Sequence, residues 1–312
     1  MKLFIKNIIL FSLVSIGVIL LIQIMVDLRI KDKTVRGHDN LDVTSDVNAD
    51  LVLLGSSRCW AHFDPTFFKE TFGIKSANIG VDGHTEIAIT ILRLKNYLSK
   101  NNAPKYAILS LDPFVRSGNE KNSTNLTHKD VFSRYAFFPN KKNEAMVDHF
   151  KFDYSEKYVP LYAIFKYKMF VDCLTLQNSG DYTKYGFEKH VEKWDTIAKP
   201  ITNVLKKSFY TKKEEPSIVT ALSELNQLCV KNNIKLLCIQ TPVYQIIQDD
   251  KIFNATALVC KKLNIPFVDV NVKPIQQHIG FFYNSNHLNN KGVEEMNLYL
   301  KKDPILNGFL NQ

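Results

Sequence analysis

The chain has 312 residues, 45% of them apolar, a formal charge of +9 and a pI of about 9.1. This is an ordinary globular composition with enough apolar residues for a core, and no repeat or low-complexity tract interrupts it. The positive balance favours acidic partners such as anionic polymers or membrane surfaces. The lysines are scattered and no arginine-rich block or nucleic-acid motif accompanies them, so nucleic acid is not expected among those partners.

After MKLFIKN, an uncharged apolar run extends from Ile8 to Val26, interrupted by Ser12, Ser15 and Gln23. It spans about 28 Å as a helix, enough to cross a hydrocarbon core. It exceeds the apolar part of a secretion signal and no small-residue cleavage site follows it. An uncleaved single-pass anchor is therefore expected over residues 1–28. Lys2 and Lys6 precede the run, while Arg29, Lys31, Lys33 and Arg36 follow it, offset by Asp27 and Asp32. Flanking charge therefore sets no orientation. Residues 29–48 are polar without a period and are expected as a tether, with residues 49–312 as one domain.

That domain opens with alternating strands and helices. ADLVLLG is expected as a strand ending at Gly55, and SANIG as a second ending at Gly80. HTEIAITILRLKNYLSKNN reads as a helix capped by Thr85, with Ile87, Ile91, Leu94 and Leu98 on one face. YAILSLD is a third strand. From about 115 to 216 the alternation stops, and Lys, Phe and Tyr crowd segments such as FSRYAFF and LYAIFKYKMF. This stretch is expected as a helical insertion over the carboxyl edge of the sheet, its aromatics either forming its own core or stacking on sugars. Alternation resumes with the helix SIVTALSELNQLCVKNN, the strand IKLLCIQTP, the helix ATALVCKKLN and the strand IPFVDVN, and closes on a loop and helix in FFYNSNHLNNKGVEEMNLYLKK. The order predicts an α/β fold: a doubly wound parallel sheet in three layers.

The five cysteines include no CxxC pair, so neither a disulfide framework nor a zinc site is expected; Cys229 and Cys238 read as small buried hydrophobes. Asn122 and Asn125 match a short glycosylation pattern that arises often by chance.

The chemistry-bearing residues gather at strand ends. LVLLGSSRCW places Ser57 just past a buried strand, at the start of a helix. A serine there is either a nucleophile in the crevice where open α/β sheets bind ligands, or simply an N-cap, a role open to Ser56 as well. His287, in the loop FYNSNHLNNKG, returns to the same sheet edge and has the chemistry to accept the serine proton; the alternative is a surface histidine. Arg58 either binds an anionic group of a substrate or pairs with Asp64 or Asp112 to brace the loop. Gln240 and Thr241 either line the pocket or close their strand. No glycine-rich phosphate loop is present, which weighs against a nucleotide-binding flavodoxin-like protein.

On these residues the chain resembles the SGNH/GDSL hydrolase superfamily, in particular its membrane-anchored bacterial envelope members, which include alginate O-acetylation proteins and the teichoic-acid D-alanylation esterase. The resemblance covers about residues 50–113 and 217–302. Gly55-Ser56-Ser57 stands where the family has Gly-Asp-Ser, so Ser57 matches the nucleophile. NIGVDGHT matches the second block, with Gly83 as an oxyanion donor beside the Ser57 N–H. LSLDPF occupies the third block without its asparagine, and Asp112 is the nearest equivalent. Asn284-Ser285-Asn286-His287 stands where the family has Asp-x-x-His, so His287 matches the base and Asn284 replaces the acid; Asp82 is a substitute acid to test.

The resemblance implies a serine esterase or acyltransferase acting on acyl groups, O-acetyl first, of a cell-envelope or extracellular polysaccharide. It implies no metal or organic cofactor, a domain facing the periplasm or cell exterior, and a membrane-bound acyltransferase as a possible partner. The replaced acid and the missing asparagine leave a second expectation open: a catalytically silent member serving binding or assembly.

Overall fold

A computed structural model describes residues 1–30, 43–84, 86–111, 116, 118, 126–137, 144–167, 183–199, 215–244 and 250–311. These fall into two units, one from the described residues of 1–38 and 120–179, the other from those of 39–119 and 180–312.

The larger unit is built on five parallel strands: β1 (Leu51–Leu54), β2 (Ser76–Asn78), β3 (Tyr106–Ser110), β6 (Lys235–Gln240) and β7 (Phe267–Asp269). The hairpins β4–β5 (Thr183–Lys184, Phe187–Glu188) and β8–β9 (Phe282–Asn284, His287–Leu288) lie outside this sheet. The order is β2-β1-β3-β6-β7, so the chain reverses direction across the sheet at β1 and β3. Such a switch point opens a crevice at the carboxyl ends of the strands.

Side chains alternate between the two faces, as the two-residue period of a strand demands. Val52, Leu54, Ala107, Leu109, Leu236 and Cys238 pack with Ile87, Ile91 and Leu94 of helix Ile87–Leu98, with Leu222, Leu225 and Cys229 of helix Glu215–Lys231, and with Val259 and Cys260 of helix Asp250–Lys262. Leu51, Leu53, Ile108, Leu237, Ile239 and Val268 pack on the other face with helices Pro65–Phe72, Asn290–Lys302 and Pro304–Leu310. The strands are apolar on both sides because both sides are covered. The four described cysteines are buried thiols.

Two segments depart from expectation. Residues 43–48, read as the end of a tether, are packed along with Ala49: Val43 and Ala49 are buried, the Ala49 N–H donates to the Tyr97 hydroxyl, and Oδ1 of the Asn101 side chain accepts the N–H groups of Val47 and Asn48. Tyr97, on helix Ile87–Leu98, and Asn101, just past that helix, satisfy a backbone that has no regular partner of its own. Residues 183–199, read as part of the insertion, belong with the sheet unit, with Phe187 and Trp194 in the second core. The hairpin turn reaches β2 through the Asn78 N–H and the Tyr185 carbonyl, 2.9 Å. Gly186, at φ +89°, makes this possible, since a Cβ there would sit 1.9 Å from the Asn78 oxygen.

The smaller unit contains helix Lys2–Ile30, which is long and apolar enough to cross a membrane, and helices Leu126–Ala136, Glu144–His149, Tyr154–Tyr158 and Tyr162–Lys166. Its core holds Phe132 stacked on Phe150, with Phe152 edge-on to Tyr167. Insertion aromatics thus do serve as core. At its centre the Glu156 carboxylate accepts hydrogen bonds from Lys166, the Tyr167 hydroxyl and the Asp153 N–H, with Lys129 alongside. Burial alone would raise the Glu156 pKa, but these donors and the Lys129 charge outweigh it and hold it at about 2.

Candidate active site

The crevice is shaped by the turn after β1. Gly55 takes φ +141°, and a Cβ there would press on Cys59 and Ser110 at 3.0 and 3.1 Å, so glycine is required where the strand bends into helix Ser57–His62. The two serines then divide the local roles. Ser56 is the N-cap, its hydroxyl accepting the Arg58 N–H at 3.2 Å. Ser57 is the first helical residue, and its Oγ lies 2.9 Å from Nε2 of His287.

His287 begins β9, and its other ring nitrogen, Nδ1, lies 3.0 Å from Oδ1 of Asn284 at the end of β8. The identity of that amide oxygen is set by the backbone, because the same atom accepts the N–H groups of Asn286 at 2.9 Å and His287 at 3.0 Å. An amide nitrogen cannot face two N–H donors. Nδ1 therefore carries the ring proton and donates it to Asn284, which leaves the Nε2 lone pair facing the Ser57 hydroxyl. The neutral amide sets the tautomer that an acid would otherwise set. It also occupies Nδ1, which leaves Asp82 no part in orienting the ring.

The charge of that acid is not replaced. His287 is partly exposed by area, yet its ring nitrogens face inward, and burial with the charges of Arg58, His190 and Lys199 lowers its pKa to about 3. Tyr283 leans on the ring at 5.4 Å, His190 stacks on Tyr283 at 3.9 Å, and the Lys199 ammonium lies 4.9 Å from the Tyr283 ring centre.

Helix Ser57–His62 holds the β8–β9 hairpin at three successive residues. Arg58 Nη1 donates to the Asn286 carbonyl at 2.6 Å, Ser57 meets His287, and Nε2 of His62 accepts the Leu288 N–H at 3.0 Å. Arg58 Nη2 donates to the carbonyl and hydroxyl of Thr241 at 2.6 and 2.7 Å and to the Pro242 carbonyl at 3.2 Å. The Thr241 hydroxyl also meets Nδ1 of His62 at 2.9 Å.

These contacts give Arg58, Thr241 and Gln240 structural partners, the second of the two roles open to each. Arg58 is buried and braces the loop through carbonyls, and Asp64 is engaged elsewhere as the N-cap of helix Pro65–Phe72. Thr241 is buried as its partner, and Gln240, equally buried, accepts the Thr256 hydroxyl at 2.6 Å and closes the end of β6. Asp112 and Thr85 lie outside the described residues. Gly83, at φ +82°, is exposed on a loop that the Val81 N–H ties to the Gly55 carbonyl at 2.9 Å.

Sequence reasoning missed His62, Asn78, His190, Lys199 and Tyr283. Asn78 braces the same turn, its amide donating to the Cys59 and Phe63 carbonyls at 2.8 Å and accepting the Gly80 N–H. An asparagine inside an otherwise apolar strand segment, SANIG, was its one local signal; the others carry none. Among the described residues, no cluster of His, Cys, Asp or Glu is arranged to hold a metal ion.

No protein-family model and no curated protein matches the sequence. A search of solved structures finds a Bacteroides fragilis protein described provisionally as an acylhydrolase, with 14% identity and a TM-score of 0.41 over 87% of this chain and 93% of that one. A likeness at that level carries no argument about this chain, and the site geometry stands on its own.

Three inward-facing histidines link this region to pH. Burial lowers His62 well below its ordinary value, His84 to about 4 and His287 to about 3. Once unfolded, each takes a proton near pH 6.5, so below that pH the unfolded chain binds more protons than the folded one. Stability is therefore full above about pH 6.5 and falls as pH drops towards 4, with a slope approaching about 4 kcal/mol per pH unit if all three contribute. Denaturant midpoints at pH 7, 6 and 5 check this; a flat series would contradict neutral burial of these rings.

Proposed function

We propose that the protein is an SGNH-type serine esterase or acyltransferase, acting on acyl groups, O-acetyl first, of a cell-envelope or extracellular polysaccharide. The observation that carries the chemistry is the hydrogen-bonded chain from Ser57 through His287 to Asn284 at the carboxyl edge of the sheet. In this reading Ser57 Oγ attacks the acyl carbonyl carbon while Nε2 of His287 takes the hydroxyl proton. The N–H groups of Ser57 and Gly83 hold the developing oxyanion. The imidazolium returns its proton to the leaving alcohol, and the acyl-enzyme is resolved by water or by a sugar hydroxyl.

The polysaccharide assignment draws on the family resemblance and on the +9 charge, which suits an acidic polymer. The helix Lys2–Ile30 supports a single-pass location in a bacterial cytoplasmic membrane, with the sheet unit on the outer side and a membrane-bound acyltransferase as a possible source of acyl groups. No cofactor is needed for these steps.

The test uses the full chain in detergent with a fluorophosphonate probe and an aryl acetate. Labelling and turnover are expected in the wild type, to be lost in Ser57→Ala and to fall by about 10³-fold or more in His287→Ala. Turnover that survives Ser57→Ala would remove the serine from the chemistry. A second reading is favoured by the missing acid: His287 is a weak base, and a silent member of the fold would bind glycan without turning it over. Absence of labelling in both the wild type and Asn284→Asp, together with glycan binding, would favour it.

A further inference from the structure

The smaller unit carries an exposed apolar surface that the chemistry above does not use. Outside residues 1–30, thirteen large apolar side chains are exposed among the described residues, and five of them fall within residues 154–165: Tyr154, Tyr158, Val159, Tyr162 and Phe165. The concentration marks a contact surface, since singly scattered exposed apolar residues need no explanation and a cluster does. Tyr154 is 74% exposed and Phe165 84%. Aromatic rings, tyrosine with its polar tip above all, suit the boundary between lipid headgroups and acyl chains.

The position of the cluster identifies what covers it. The Leu161 N–H donates to Gln23 Oε1 at 2.8 Å, and Gln23 lies within the membrane-length helix. The Gln23 amide nitrogen in turn donates to Asp27, the first charged residue beyond the apolar run. At 1.5 Å per residue, Gln23 lies about 6 Å below Asp27 along the helix. That is the depth, about 5–10 Å, at which interfacial segments seat their apolar faces. One helical turn deeper, Ile19 forms a groove of about 400 Å³ with Val159, Pro160, Leu161, Tyr162, Phe165 and Lys166, whose ammonium is paired with Glu156.

We propose that residues 154–165 form a second membrane contact, seated in the interfacial layer beside the anchor, with the groove against Ile19 occupied by a lipid acyl chain. Tyr154, Tyr158 and Tyr162 lie among the headgroups and Phe165 reaches the upper acyl chains. The surface is continuous with the lipid-facing side of the anchor, which is why the occupant is lipid rather than a soluble partner. The proposal is independent of any esterase activity.

The test places the full chain in vesicles of phosphatidylcholine and phosphatidylglycerol whose acyl chains carry bromine near the glycerol end. Phe165→Trp and Tyr154→Trp are compared with Leu258→Trp, another exposed apolar position, after subtracting the wild-type signal of Trp60 and Trp194. Added emission from positions 165 and 154 is expected to be blue-shifted, quenched by the brominated lipid and shielded from aqueous iodide; Leu258→Trp is expected to show the reverse. Iodide quenching at both 165 and 154 without bromolipid quenching would overturn the proposal. Shielding from both quenchers would overturn it too, indicating a second copy of the chain on this surface.

Discussion

Asn284→Asp is expected to raise Ser57-dependent turnover by about 10- to 1000-fold. The amide already holds His287 in the tautomer that receives the serine proton, so the substitution changes charge more than geometry. What it supplies is a carboxylate beside a ring whose pKa is held at about 3 by burial and by Arg58, His190 and Lys199. An adjacent opposite charge raises a histidine pKa by about 1–3 units, and each unit is worth about tenfold in stabilising the imidazolium formed during attack. The wild-type ring stays neutral throughout the range in which the fold is stable, and an acid limb of kcat/KM from His287 is expected to move up towards that range in the variant. Profiles of aryl acetate hydrolysis check both. A His287 pKa that rises by NMR while turnover stays constant would show that imidazolium stability does not limit the reaction.

Arg58→Met is expected to destabilise the sheet unit by at least about 3 kcal/mol, because it strands the Asn286, Thr241 and Pro242 carbonyls, each costing about 1–3 kcal/mol when buried without a donor. For a unit of this size that is a fall of roughly 6–12 °C in Tm. Arg58→Lys is expected to recover only part of it, since an ammonium does not reproduce the guanidinium fork that reaches two chain segments at once. Activity should fall beyond what stability explains, because Arg58 fixes the residue immediately before His287. Scanning calorimetry and turnover on the same preparations test this, and an unchanged Tm in Arg58→Met would show that the brace is dispensable. The result also separates bracing from substrate recognition: a lost substrate contact would raise KM for acidic substrates and leave Tm alone.

The sheet was legible in the sequence because each parallel strand is a short apolar run closed by a turn residue, and each helix repeats its apolar face every three or four residues. Leu51–Leu54 and Lys235–Gln240 show the first pattern, and Ile87, Ile91 and Leu94 the second. Both are local properties of the chain and survive without knowledge of the rest. The anchor helix is legible for the same reason, since length and hydropathy are sums over neighbouring residues. Ser57 and His287 were legible as candidates because both follow strand-like runs that end at the same edge.

The tertiary structure alone decided what those residues do to one another. Local propensity leaves the cap role open to Ser56 and Ser57 alike, and the placement of His287 makes one the cap and the other its partner. Arg58 could be a receptor or a brace until Thr241, Pro242 and Asn286 arrived around it from segments more than 180 positions away. Segment 183–199 looked like insertion because its short hairpin has no period long enough to register, yet a glycine lets its turn touch β2, and its His190 and Lys199 pack on Tyr283 beside the histidine. Periodicity is written between neighbours and can be read along the chain; hydrogen-bond partners and pKa values depend on distances of a few ångströms between residues far apart in sequence, and those exist only once the chain has folded.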